Sequence, residues 1–379
     1  MNRRTFIKGG ALVSASLGFN PLAAETTFLE QSRQYSIPSL KQSVVVSDGD
    51  IRALLIQLGE HMWCDWPTAQ MGDDLEKAIL GLPESRRPSL KLGCDYEVWK
   101  QVTEYAAKKG VNVLVIDLGE ALYYPSHPEL AVEGTWSVET MQQEIRRLNG
   151  LGMEVVPKLN FSCSHNGWLK DYRHMVSSKT YYKVCEEVIA DAYKTFGNPR
   201  FFHIGYDEED EWHRDKFFYR IQRVEEAWWV DFLHIVHTVE KLGARPWAWS
   251  DYGWDHPDYF TRCPKSVIQQ NWYYDEQDGG FDPATNNTSD KKRLVEYWNL
   301  EKAGFDQIPC GTNWVGYGRA QHKTGADDVI GKLVKLGREV VSKERLKGFM
   351  MATWDYPCDN AHKDHIMRGI DLLAKAMEQ

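Results

Sequence analysis

Five consecutive acids, Asp207 to Glu211, follow the apolar run Phe201-Phe202-His203-Ile204-Gly205-Tyr206. Taken alone, such a run of carboxylates is a solvated loop. Here it closes a buried-type strand, with His203 and Gly205 at alternate positions before it. Paired acids at a strand terminus can cleave a glycosidic bond, one protonating the leaving oxygen while the other stabilises positive charge on the sugar. An acid working near neutral pH needs its pKa raised by an apolar wall or a second carboxylate. Asp207, Glu209 and nearby Trp side chains could supply both to Glu208. Consecutive strand residues face opposite ways, so Asp207 and Glu208 share a pocket only if the chain bends just past Tyr206. His203, on the strand itself, is expected to hydrogen-bond below the site.

Tryptophan is the other chemical signature, with 15 among 379 residues. Aromatic faces stack on the C–H faces of sugars, and indole adds a hydrogen-bond donor. A single Trp is ordinarily core. Trp63, Trp66, Trp249, Trp254, Trp272, Trp314 and Trp354, however, lie in apolar strands or just after them.

The elements that must position these groups alternate along the chain. Strand-like runs at 53–58, 111–118, 154–159, 200–206, 246–249, 267–272, 308–312 and 348–353 are separated by helical patterns. Those patterns fall at 96–109, 138–151, 179–195, 224–242, 291–303, 326–341 and 362–377, with Ser137 as an N-cap and Gly110 and Gly152 as stops. Alternation of this kind builds a parallel α/β fold, and eight strand units close a single (β/α)8 TIM barrel over residues 51–379. The strand ends Gln57-Leu58-Gly59-Glu60 and Asp117-Leu118-Gly119-Glu120 echo each other. Residues 25–50 read as a lead-in. Chemistry in such barrels sits at the C-terminal strand ends. That rule selects Glu60, His61, Asp117, Glu120, Asn160, His165, Asp207, Glu208, Trp249, Asp251, Trp272, Trp314, Trp354 and Asp355. The Gly/Asn/Asp-rich stretch 278–290 reads as a loop at the same mouth.

Residues 1–24 are expected to lie outside the fold. Arg3-Arg4-Thr5-Phe6-Ile7-Lys8, a weakly apolar segment to Phe19 and Ala23-Ala24 read as a twin-arginine signal, cleaved near Ala24 after export of the folded protein to the periplasm or beyond. The apolar segment is too short and too rich in Gly and Ser to span a membrane. The formal charge of −9 becomes −12 once Arg3, Arg4 and Lys8 are removed with that signal. With no basic tract remaining, nucleic acid and anionic membrane are disfavoured as partners. The seven cysteines show neither CxxC nor metal-finger spacing. No cofactor is expected. The partner expected is an oligosaccharide or glycoconjugate substrate, and the oligomeric state is left open.

The motif His203-Ile204-Gly205-Tyr206-Asp207-Glu208 resembles the His-x-Gly-Gly-Asp-Glu that ends strand four in glycoside hydrolase family 20, the β-N-acetylhexosaminidases. His127-Pro128-Glu129-Leu130, with Gly134 and Glu139, looks like that family's Tyr-Pro-Glu-Leu stretch. Glu154-Val155-Val156-Pro157 looks like its third strand, and Trp249, Trp272 and Trp354 fall where it builds an aromatic sugar pocket. The resemblance implies substrate-assisted hydrolysis. Asp207 would orient the 2-acetamido group, whose carbonyl oxygen attacks the anomeric carbon, and Glu208 would serve as general acid and then base. The further substrate-binding set is Glu60, His165, Trp249, Asp251, Trp272, Trp314, Trp354 and Asp355. The chain departs from the family pattern at Glu60 (an Arg in the family), at Tyr206 in place of the second Gly, and at Tyr356 in place of an acid. Strand seven offers no clear match for the family's Tyr, Tyr317 being the nearest.

These departures keep other readings open. One is hydrolysis of a different sugar, with Asp251 or Asp355 as nucleophile or base. A second is a glycan-binding barrel without catalysis. A third is a metal-dependent barrel using Glu60, Glu120, His165, Glu208, Asp251 and Asp355 as ligands, although no tight His-x-His spacing supports it.

Overall fold

A computed structural model of the chain describes residues 36–68, 71–72, 74–215, 217–218, 221–274, 280–314 and 329–379. The signal-like segment, Tyr317 and part of the 278–290 stretch lie outside them. Eight strands form one parallel sheet: β1 (Ile51–Gln57), β2 (Val113–Asp117), β3 (Glu154–Lys158), β4 (Phe201–Gly205), β5 (Arg245–Trp249), β6 (Ile268–Gln270), β7 (Cys310–Thr312) and β8 (Gly348–Ala352). Their spatial order is β6-β5-β4-β3-β2-β1-β8-β7. The seam between β6 and β7 is joined by parallel bridges at Gln269–Gln307 and Trp272–Cys310. The result is a (β/α)8 barrel.

Most of these strands are buried on both faces, as covered parallel strands must be, and alternate side chains divide between two cores. Ala53, Leu55, Val113, Val115, Val156, Trp247, Trp249 and Met350 fill the barrel interior. Leu54, Ile56, Leu114, Ile116, Val155, Phe202 and Ile204 face the surrounding helices. The lead-in docks at the start of β3, where Val46 N donates to Glu154 Oε2 (2.9 Å) and Gln42 Nε2 to Val155 O (2.7 Å).

The helices begin and end on their local signals. Ser137 Oγ accepts Thr140 N at the start of α2 (Val138–Gly150), which follows α1 (Tyr96–Lys108). Ser178 caps α3 (Lys179–Thr195), and Gly243, at φ 95°, ends α4 (Glu226–Leu242). Further round come α5 (Lys291–Ala303), α6 (Val329–Val340) and α7 (Asn360–Met377). Between β5 and β6 the wall is made only by a 3-10 turn at Asp251–Trp254 and a single helical turn at Tyr259–Arg262. Among the described residues no helix is long and apolar enough to cross a membrane.

Candidate active site

The end of β4 bends sharply. Gly205, Tyr206 and Glu208 all take positive φ (73°, 76° and 57°), and pairing with β5 shifts register between His203 and Gly205. Positive φ in a tyrosine is strained and needs external support. The Tyr206 ring supplies it by turning to the helix side, against Trp228 and Phe232 (ring centroids 5.7 and 5.1 Å away), while Arg223 Nη1 donates to its hydroxyl at 3.1 Å. Tyr206 thus redirects the chain without entering the mouth. Gly205 is required by contact: a Cβ there would sit 2.1 Å from Asn160 Oδ1.

Asn160, just past β3, is the clamp of this bend. Its Oδ1 accepts Ser162 N (3.1 Å) and Tyr206 N (3.2 Å), and its Nδ2 donates to Asp207 Oδ1 (2.7 Å). Asp207 is buried, whereas the Glu208 side chain remains a quarter exposed. His165 bridges the two acids, with Nδ1 3.6 Å from Asp207 Oδ1 and Nε2 3.3 Å from Glu208 Oε2. On the other side His213 Nε2 stands 3.0 Å from Glu208 Oε1, and its Nδ1 is 2.6 Å from Asp210 Oδ2. Behind the bend, Glu209 turns away into a buried ion cluster with Arg223 and Asp231, and accepts Cys163 N at 2.6 Å.

This arrangement corrects one expectation. Glu209 and Asp207 do not raise the Glu208 carboxyl. Burial pushes it upward, but hydrogen bonds to His165 and His213 outweigh that and hold it well below the usual carboxylate range. His165 is itself pushed up by Asp207 and Glu208 against the effect of burial. Beside Glu208, the Asp251 carboxyl is raised instead, to about 8, through burial and the charge of Asp207. Its Oδ2 accepts Glu208 N at 2.7 Å, so it props the acid's backbone.

The aromatic candidates gather partly as expected. Trp354 at the end of β8 lies 5.6 Å from Trp249 and 6.1 Å from Trp63, which in turn meets His165 edge-on at 5.9 Å. Trp249 is itself fully buried against His203, whose Nε2 pairs with Gln270 Oε1 at 2.8 Å below the site. Trp272 packs on Trp254 and Tyr274 and under the Arg293 guanidinium. Trp314, whose amide donates to Thr312 Oγ1 (2.9 Å), ends its described segment.

The remaining candidates have other partners. Glu60 Oε1 accepts Gly93 N (2.7 Å), tying down the loop between β1 and α1. Glu120 accepts the Glu60 and His61 amides, and Asp117 pairs with Lys158 inside the barrel. Asp355 faces His362 (3.5 Å) and His365 (3.1 Å) at the start of α7. The six ligands of a metal-dependent reading do not converge on one point among the described residues. Among the described residues, ligand-type atoms of three side chains come within 4.8 Å of one another at Cys358, Asp359 and His362, where Asp359 caps α7.

Two contributors escaped the reading of the sequence. Tyr274, after β6, brings its hydroxyl to Trp354 Nε1 (3.0 Å). His213 lies at i+3 from Asp210 and i+5 from Glu208 on a turn following the acids, a spacing that could have marked it.

The chain is similar in fold to several solved β-N-acetylhexosaminidases. The β-N-acetylhexosaminidase of Bacteroides fragilis matches with TM-score 0.55 and 13% identity, over 86% of this chain and 65% of that one. The family 20 β-N-acetylhexosaminidase of Streptomyces coelicolor gives 0.55 and 13%, over 85% and 64%. A mutant Streptomyces plicatus β-hexosaminidase in complex with the product GlcNAc gives 0.54 and 13%, over 85% and 63%. The chain thus spans just under two thirds of the length of each. No protein-family model matches the chain, and no curated protein sequence does. The likeness is one of fold: the barrel is similar to that of these solved structures.

Proposed function

We propose that this chain is a glycoside hydrolase acting on N-acetylhexosamine sugars by substrate assistance. The observation that carries the proposal is the placement of Asp207 and Glu208 at one barrel mouth, joined through His165 and walled by Trp63 and Trp354. In this reading Asp207, fixed by Asn160, receives the acetamido N–H and aims the carbonyl oxygen at the anomeric carbon. That oxygen displaces the aglycone as Glu208 protonates the leaving oxygen. Water then opens the cyclic intermediate with Glu208 as base, and configuration is retained. The structures matched in fold, one of them holding GlcNAc, support this substrate class.

The alternative carboxylates have competing engagements. Asp251, raised to about 8, is occupied by the Glu208 amide, and Asp355 faces the α7 histidines. Export by the twin-arginine pathway belongs to the same proposal and rests on Arg3-Arg4 and the segment behind them.

The test is hydrolysis of a panel of nitrophenyl glycosides with and without a 2-acetamido group. Cleavage confined to the 2-acetamido sugars is expected. Equal cleavage of 2-hydroxy sugars would require a protein nucleophile instead, and binding of oligosaccharides with no turnover would leave a glycan-binding barrel.

A further inference from the structure

Glu208 has an imidazole on each oxygen, and each imidazole has a carboxylate behind it: Asp207–His165–Glu208–His213–Asp210. We propose that His213, oriented by Asp210, is a positioning residue that stores the proton Glu208 delivers, forming a relay separate from the His165 contact. The inference rests on the reading of Glu208 as acid and base, and names the group that keeps it supplied.

The geometry suits a relay. His213 Nε2 to Glu208 Oε1 is 3.0 Å and His213 Nδ1 to Asp210 Oδ2 is 2.6 Å, so both ring nitrogens face carboxylate oxygens and both carry protons in the resting site. Asp210 is also held by its own turn, accepting His213 N at 2.9 Å. The charged groups facing this ring are Asp210 from its own turn, Glu208 from the end of β4 and, across Glu208, His165 from the segment after β3. The Trp212 ring lies edge-on at 4.5 Å and remains exposed. Burial opposes the charge on His213, but Asp210 and Glu208 together bring it to about 9. A carboxylate held so far below its usual range makes a poor acid unless its partner returns the proton during the step.

Protons balance within the site. In the first half-reaction the acetamido oxygen bonds to the anomeric carbon and the glycosidic C–O bond breaks. The His213 Nε2 proton passes to the ionised Glu208 carboxylate and from it to the leaving oxygen, so that Glu208 ends the step ionised and His213 neutral. In the second, water bonds to the anomeric carbon, the bond to the acetamido oxygen breaks, and the water proton returns through Glu208 to His213.

Two measurements on the intact chain test the relay. In side-chain ¹⁵N NMR, His213 should titrate near pH 9, and Asp210→Asn should lower that midpoint by one unit or more. A wild-type midpoint at or below the ordinary histidine value, or one that Asp210→Asn leaves in place, would overturn the relay whether or not the chain hydrolyses any sugar. The second is the pH profile of kcat/KM on nitrophenyl 2-acetamido-glucoside. The alkaline limb should move acidward in Asp210→Asn and His213→Gln, whereas a merely structural role would lower the rate equally at every pH. Absence of wild-type turnover would refute the proposed function while the NMR titration still decides the relay.

Discussion

Charge state is decided residue by residue in this barrel, and the neighbours that decide it are far apart in the chain. Glu208 stays ionised because His165 and His213 converge on it, while burial and the charge of Asp207 push Asp251 upward. Residue type and position at a strand end were enough to single out Asp207 and Glu208. Their protonation was not legible, since it depends on contacts made only in three dimensions. Glu296 illustrates the same physics away from the chemistry. Its carboxyl rests on Gly253, Oε1 has no hydrogen-bond partner, and burial raises it to about 8. Because the folded value is raised, the stability it contributes is complete below its ordinary pKa and is lost as pH rises toward 8. Glu296→Gln, which cannot titrate, should therefore gain on wild type between pH 5 and pH 8 by a few kcal/mol, at about 1.4 kcal/mol per pH unit. Denaturant melts at both pH values measure this, and a pH-independent difference would contradict it.

At the scale of elements, the strands were readable because parallel strands covered on both faces are continuous apolar runs. The helices were readable from their caps. The bend after β4 was not. Positive φ at Tyr206 has no sequence signature, and its stability comes from Trp228, Phe232 and Arg223 on later segments. Eight strand–helix units were expected, but between β5 and β6 a 3-10 turn and a single helical turn stand in place of a long helix. The bend also makes a prediction. Gly205→Ala places a methyl where Asn160 Oδ1 lies, at a φ that side chains disfavour, so the Asn160 clamp must move. We expect a loss of about 1–3 kcal/mol in stability, together with a fall in turnover as Asp207 loses its anchor. Calorimetry and kinetics check the two effects together, and an unchanged protein would refute the clamp.

For the whole molecule, barrel closure brings the ends of β1, β3, β4 and β8 to one mouth, so that Trp63, His165, Glu208 and Trp354 meet although 291 residues separate the first from the last. The departures at Glu60 and Tyr206 resolve into structural roles: Glu60 secures the Gly93 loop, and Tyr206 packs behind the strand. Neither removes the acid pair. Everything in this account therefore converges on Glu208, and the most direct test is the turnover of nitrophenyl 2-acetamido-glucoside by Glu208→Gln, with folding verified by circular dichroism. Glu208→Gln should fold, with kcat/KM lower by about 10²–10⁴. Folded Glu208→Gln that turns over at the wild-type rate would contradict it.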